Sequence, residues 1–147
     1  MVVPDLLNLM AKKLKFVVIF KLIFLIINVK KMHYEKSIGK IPFEEIKKGE
    51  KTVEGRLKKG DFAKFEEGDT ITWINSSDKV KTRIIKVVEY DTLYDMIKTE
   101  RLKNVLPRFG VSTIQEGVDK VYRMPPINYK KEKEKKFGVL AIRLELV

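Results

Sequence analysis

Lys51, Glu54 and Arg56 are the residues whose types and spacing best support chemistry in this chain. Lys51 and Arg56 can neutralise phosphates, and Arg56 can also hydrogen-bond a base edge or stack on it. Glu54 can accept from a base amino group, much as acidic side chains read cytosine in DNA. Thr52 adds a hydroxyl to the same stretch. A second class of chemistry uses the same groups. In an amidohydrolase, Lys51 would serve as a base in a desolvated setting, and Glu54 or Glu100 would activate water or hold the amine. The bland alternative is that Glu54 and Arg56, two apart on one strand face, brace each other. Lys81, Arg83 and Lys86, with Arg101, Lys103 and Arg108, could widen a basic rim. For the first three, ordinary solvated strand positions are the simpler reading. The Lys–Glu run 130–136 reads as a solvated, self-compensating face. His33 reads as a strand residue, and Trp73 and Tyr122 as core aromatics before base-stacking ones.

The elements that must position these groups follow from local pattern. Residues 42–48 read as a short helix. Pro42 sits near its start, where a missing N–H costs nothing, and Phe43 and Ile46 share one face. Gly49 follows the last turn, where a left-handed cap is expected. From Lys51 to Leu57 the chain alternates as a strand, with Thr52, Glu54 and Arg56 on one face and Lys51, Val53 and Gly55 on the other. Residues 32–38 read as a first strand. Residues 58–69 form a polar connection over Phe62 and Phe65. Thr70–Ile74 and Val80–Glu89 flank a hairpin turn at Asn75–Asp78. Thr92 caps a helix carrying Leu93, Met96 and Ile97. A break at Glu100–Arg101 leads to Leu102–Leu106, closed by Pro107. Ser112 or Thr113 caps a further helix, and Pro125–Pro126 stops it. Phe137–Leu146 is apolar enough for a central strand. The sum is an α+β domain with a curled or closed antiparallel sheet of five to six strands and two to three helices.

Composition bounds the rest. The chain has 147 residues, which suits one domain (32–147) plus an appendage (1–31). With no cysteine, disulfides and thiolate metal sites are excluded, and a cytoplasmic protein is the simplest expectation. One histidine argues against a histidine-rich metal site, and no cofactor is implied. The net charge of +11 points to a polyanion or an anionic surface. Six Lys and one Asp fall in residues 1–31, so the remainder is basic but mixed. Abundant Lys and Glu with a single Gln lean toward a thermophilic source. Residues 14–29 are far more apolar than anything after them. They are short for a membrane span and contain Lys21, so membrane attachment is expected only if this segment is real and exposed. They also lack the cleavage site of a signal peptide. A start at Met32, with residues 1–31 outside the native chain, is the leading alternative, ahead of an apolar element that packs on the domain or on a second copy.

Gly49-x-Lys51-x-x-Glu54-x-Arg56 resembles the signature of ASCH domains, within the PUA-like superfamily. Gly68-Asp69, Asn104-Val105-Leu106-Pro107, Glu116-Gly117-Val118, Val121-Tyr122-Arg123 and Phe137-Gly138-Val139-Leu140-Ala141-Ile142 continue the likeness to small archaeal stand-alone members over roughly 32–147. The segment 124–131 departs from it. The resemblance implies a PUA-like β-barrel with a cleft lined by the motif strand and helices, and a ligand that is RNA or a nucleotide. It places Lys51, Thr52, Glu54, Arg56, Lys81, Arg83 and Arg101 as candidate binding residues. One branch of the family hydrolyses N4-acetylcytidine with a motif Lys, a Thr three residues on and a later Glu. Here the Lys is Lys51, the Thr position is Glu54, and Glu100 is the nearest later acid, so binding is expected ahead of catalysis.

Overall fold

The computed structural model describes residues 3–124 and 131–147. The Pro125–Pro126 stop and most of the departing segment lie outside them. The chain divides into two units, Met1–Met32 and His33–Val147. The first is helix α1 (Val3–Val29). Its large apolar side chains, among them Leu14, Phe16, Ile23 and Leu25, are exposed. Among the described residues, no helix is long and apolar enough to cross a membrane.

In the second unit, period-two segments become strands and period-three-to-four segments become helices. The order is β1 (His33–Ser37), α2 (Lys40–Lys47), β2 (Val53–Leu57), a 3-10 turn (Gly60–Lys64), β3 (Thr70–Asn75), β4 (Asp78–Tyr90), α3 (Leu93–Glu100), α4 (Leu102–Val105), α5 (Ile114–Arg123), α6 (Lys131–Phe137) and β5 (Val139–Leu146). The strands form one curled sheet in the order β1-β3-β4-β5-β2, a half-barrel of α+β type. The β1–β3 pair is parallel and the other three pairs are antiparallel. β5 is central, as its apolar run requires, and β1 and β2 are the two edges.

Side-chain alternation gives the sheet two buried faces. On one, α2 inserts Phe43 and Ile46 against Ile71, Trp73, Ile84 and Ile142. On the other, Met96, Ile97, Val105 and Val118 from α3, α4 and α5 pack on Val53, Leu57, Val139 and Ala141. Each such side chain contributes about 1.5–3 kcal/mol by leaving water. Trp73 is fully buried and its indole N–H donates to Thr82 Oγ1 at 2.9 Å, so it is a core residue. His33 is exposed beside the Thr70 and Thr72 hydroxyls.

Local signals act as their chemistry requires. Gly49 has φ +73 after α2. Thr92 and Thr113 accept from the backbone N–H of Asp95 and Glu116, capping α3 and α5. The structure holds more helix than the two to three expected. The difference comes from α1, the single turn α4, and α6, which forms in the Lys–Glu run. That run is not wholly solvated. Glu134 is buried and accepts from Leu93 N (3.1 Å) and Tyr122 Oη (2.8 Å). It thereby holds an orphan N–H in the first turn of α3 with an anion, where the helix dipole favours one.

Candidate functional site

The two edge strands of the sheet, β1 and β2, flank the motif cleft. Ser37, Ile38 and Gly39 follow one edge, and Lys51, Glu54, Gly55 and Arg56 come from the other. Met96 of α3 and Val105, Leu106 and Phe109 around α4 close the cavity, which measures about 330 Å³. Hydrogen bonds from Leu144 N to Thr52 O and from Lys58 N to Gly138 O fix the phase of the β2–β5 ladder. The backbones of Glu54 and Arg56 therefore face β5, and those of Val53, Gly55 and Leu57 face the open edge. A Cβ on Gly55 would lie 2.6 Å from Met96 Cε, so glycine lets α3 approach the strand at the cleft.

Strand alternation alone places Lys51 opposite Glu54. The structure brings them together because β2 begins only at Val53, and Lys51 lies in the turn after α2. Lys51 Nζ is 3.3 Å from Glu54 Oε2 and also donates to the Val105 carbonyl. Arg56 Nε donates to Glu54 Oε1 at 2.9 Å, and its guanidinium sits 5.0 Å from the Phe62 ring centre. The brace between Glu54 and Arg56 is thus present. Only the Nε of Arg56 is engaged among the described residues, so its terminal nitrogens keep their donors. Glu54 Oε2 is buried and takes no well-directed hydrogen bond beyond the Lys51 ion pair. Burial pushes the Glu54 carboxyl up, but Lys51 and Arg56 outweigh it and hold the group below the ordinary carboxylate range.

A second buried acid lies close to Lys51. Glu45 is fully buried between Phe43 and Ile46. Its Oε1 accepts from Arg108 N at 3.2 Å, and its Oε2 has no donor. Burial raises its carboxyl pKa, against the opposing pull of Lys51 and Arg108. The only sequence signal for this is its position two residues after Phe43 and one before Ile46, the core side chains of α2. Phe109 and Phe62, which supply aromatic surface to the cleft and to Arg56, carry no periodic signal at all.

The other candidates separate from this site. Thr52 lines a different cleft with Glu100, Arg101, Lys103 and Arg143. Glu100 accepts two hydrogen bonds from Arg143 (2.9 and 3.0 Å) and one from Tyr90 Oη (2.7 Å). Lys51 and Glu54 line the motif cleft and Glu100 the other, so the three positions that correspond to the hydrolase branch do not line one cavity. Lys81 and Arg83 flank the buried Thr82 on β4 and so project from the sheet face opposite Glu54. Arg83 pairs with Glu145 at 3.0 Å. Arg108 is engaged by Glu50 through Nε and Nη2, at 2.5 and 2.8 Å. Among the described residues, no group of three or more His, Cys, Asp or Glu could hold a metal ion.

The sequence of residues 37–147 matches the model of the ASCH domain, a PUA-like fold. Two solved structures of Pyrococcus proteins are similar. The crystal structure of hypothetical protein PH0355 is 34% identical with a TM-score of 0.69, over 79% of this chain and 100% of that one. The solution NMR structure of Protein PF0455 from Pyrococcus furiosus is 35% identical with a TM-score of 0.64, over 79% of this chain and 98% of that one. No protein of curated function matches at a significant level. The match to the domain model over three quarters of the chain, with the motif strand at the mouth of the expected cleft, means that the chain belongs to the ASCH domain family.

Proposed function

We propose that this ASCH domain binds RNA by taking one unstacked nucleotide into the motif cleft. The observation that carries the reading is the composition of that cleft. Ile38, Met96, Leu106 and Phe109 wall a cavity of about 330 Å³, and its charged lining residues, Lys51, Glu54 and Arg56, come from the motif strand and the turn before it. Apolar walls with few, fixed polar groups suit a planar aromatic ligand. Glu54 presents a buried carboxylate oxygen to a base N–H or amino group, and Arg56 presents uncommitted donors to a phosphate or base edge. Lys51 is 6% exposed and positions Glu54 without reaching out to a phosphate itself. The family's general association with RNA and the net charge of +11 support the same ligand class.

Titration of single-stranded oligoribonucleotides over a salt series tests the reading. Arg56→Ala should weaken binding and lower the log–log salt slope by about 0.7 if it contacts one phosphate. Phe109→Ala should weaken binding with no change in slope, because stacking carries no counterion release. Glu54→Gln should change the preference among the four bases. Wild-type affinity in both Arg56→Ala and Phe109→Ala would exclude the motif cleft as the binding surface.

A further inference from the structure

Behind the motif cleft lies the second one, of about 420 Å³. The two share a thin wall. Lys51 and Val105 line the motif cleft, whereas Thr52 and Asn104, each adjacent in sequence, line the second. Lys51 Nζ donates to Val105 O, and Thr52 N donates to Asn104 O at 3.1 Å, so the wall is clamped across its width.

Two backbone irregularities converge on the second cleft. β4 bulges between Ile84 and Lys86, and the extra residue, Ile85, is 45% exposed at the cleft and belongs to neither core. Bulges re-aim side chains in this way. Arg101, between α3 and α4, has φ +74 and ψ 135, a conformation that side-chain-bearing residues rarely adopt. Such strain persists where the surroundings impose it, and it concentrates at ligand sites. The Arg101 and Lys103 side chains are exposed and have no partner among the described residues. The one carboxylate of the cleft, Glu100, takes three hydrogen bonds from Arg143 and Tyr90 and forms its ion pair with Arg143 rather than with Arg101 or Lys103. Two uncommitted cations beside the Thr52 and Thr99 hydroxyls are the donor set that phosphate oxygens take.

We infer that the second cleft is a phosphate subsite. It holds the backbone phosphate adjacent to the nucleotide whose base enters the motif cleft. The ligand is then a single-stranded oligoribonucleotide that crosses the Lys51–Thr52 wall, and a free nucleoside fills only half of the site. This rests on the RNA reading of the motif cleft.

The test uses the full chain, a fluorescent single-stranded octaribonucleotide of mixed sequence, and the four ribonucleosides followed by NMR. The variant is Arg101→Gly with Lys103→Ala, because glycine accepts the backbone conformation at 101. The octamer should bind the double variant about tenfold more weakly at low salt, with the log–log salt slope reduced by about 1.4, while nucleoside shifts stay as in wild type. If the double variant binds the octamer with wild-type affinity and slope while Arg56→Ala weakens it, the subsite is wrong and the motif-cleft reading stands. Equal loss of octamer and nucleoside binding would also overturn the subsite, since the substitutions would then act through the wall. If wild type binds neither probe, both readings fall.

Discussion

The two clefts on either side of the Lys51–Thr52 wall use charge in opposite ways. In the motif cleft Lys51 and Glu54 are buried and engage each other. Lys51 and Glu54 are 6% and 5% exposed and 3.3 Å apart, so each offsets part of the other's lost hydration. In the second cleft Arg101 and Lys103 are exposed and engage nothing among the described residues, while its buried acid is fully matched by Arg143 and Tyr90. Glu54 and Glu100 sharpen the contrast. Burial pushes both carboxyls up, and cations bring both below the ordinary range. Yet Glu100 has donors on both oxygens, and Glu54 Oε2 has only an ion pair. On the proposed reading, the first arrangement would couple ligand recognition to the stability of the fold, and the second would leave binding charge free of structural duty, at the cost of backbone strain at Arg101.

The largest effect that would break this comparison is on stability. Lys51→Met removes the ammonium that faces Glu54 and strips Val105 O of its donor. It should cost about 3 kcal/mol, the range for removing one partner of a buried pair. Lys103→Ala should stay within about 0.5 kcal/mol, as for surface substitutions without partners. Urea midpoints at constant m-value measure both. Similar costs at the two positions would end the distinction between the clefts.

A smaller effect has a pH signature. Glu54→Gln keeps the shape but loses the charge that Lys51 and Arg56 face, and should cost about 2 kcal/mol at neutral pH. The folded-state pKa of Glu54 is depressed, so the unfolded chain binds the proton more readily. Its stabilising contribution is therefore complete above the ordinary carboxyl value of 4.5 and is lost as pH falls below that value through the folded pKa. The difference in unfolding free energy between wild type and Glu54→Gln should shrink over that acid window and be flat above it. A difference that grew on acidification would mean that the carboxyl is held neutral in the folded state.

Much of this was legible because it depends on local chemistry. Phe43, Ile46 and Gly49 define α2 and its end by spacing and backbone freedom alone, and Thr92 and Thr113 cap helices with their own hydroxyls. The mostly apolar run of β5 implied a strand paired on both sides. What escaped depends on partners distant in sequence. Glu134 reads as one charge among many in a Lys–Glu run, and only the arrival of Leu93 N and Tyr122 Oη makes it a buried acceptor. Lys51 reads as facing away from Glu54 because alternation was extended two residues beyond the true start of β2. Thr52 falls in the motif yet lines the other cleft, because its N–H is drawn to Asn104 O. Periodicity also cannot register a single bulge at Ile85 or one positive φ at Arg101, and those two features shape the second cleft.

Arg101→Gly gives a smaller effect than either motif substitution, and the most discriminating one. With ψ 135, Arg101 lies outside the small left-handed helical region that polar residues tolerate, in a zone suited to glycine. Its side chain makes no contact with a partner that its loss would forfeit among the described residues. Glycine should relieve the strain, offset in part by the greater freedom it gives the unfolded chain, for a net gain of about 1 kcal/mol. For a domain of this size that corresponds to a rise in melting temperature of about 4 °C. The fold would then be more stable with glycine at 101 than with arginine, while the cleft would hold one cation fewer. A melting temperature below that of wild type would mean that the Arg101 side chain supports the fold after all. The contrast between structural charge in one cleft and free charge in the other would then have to be withdrawn at the residue where it is strongest.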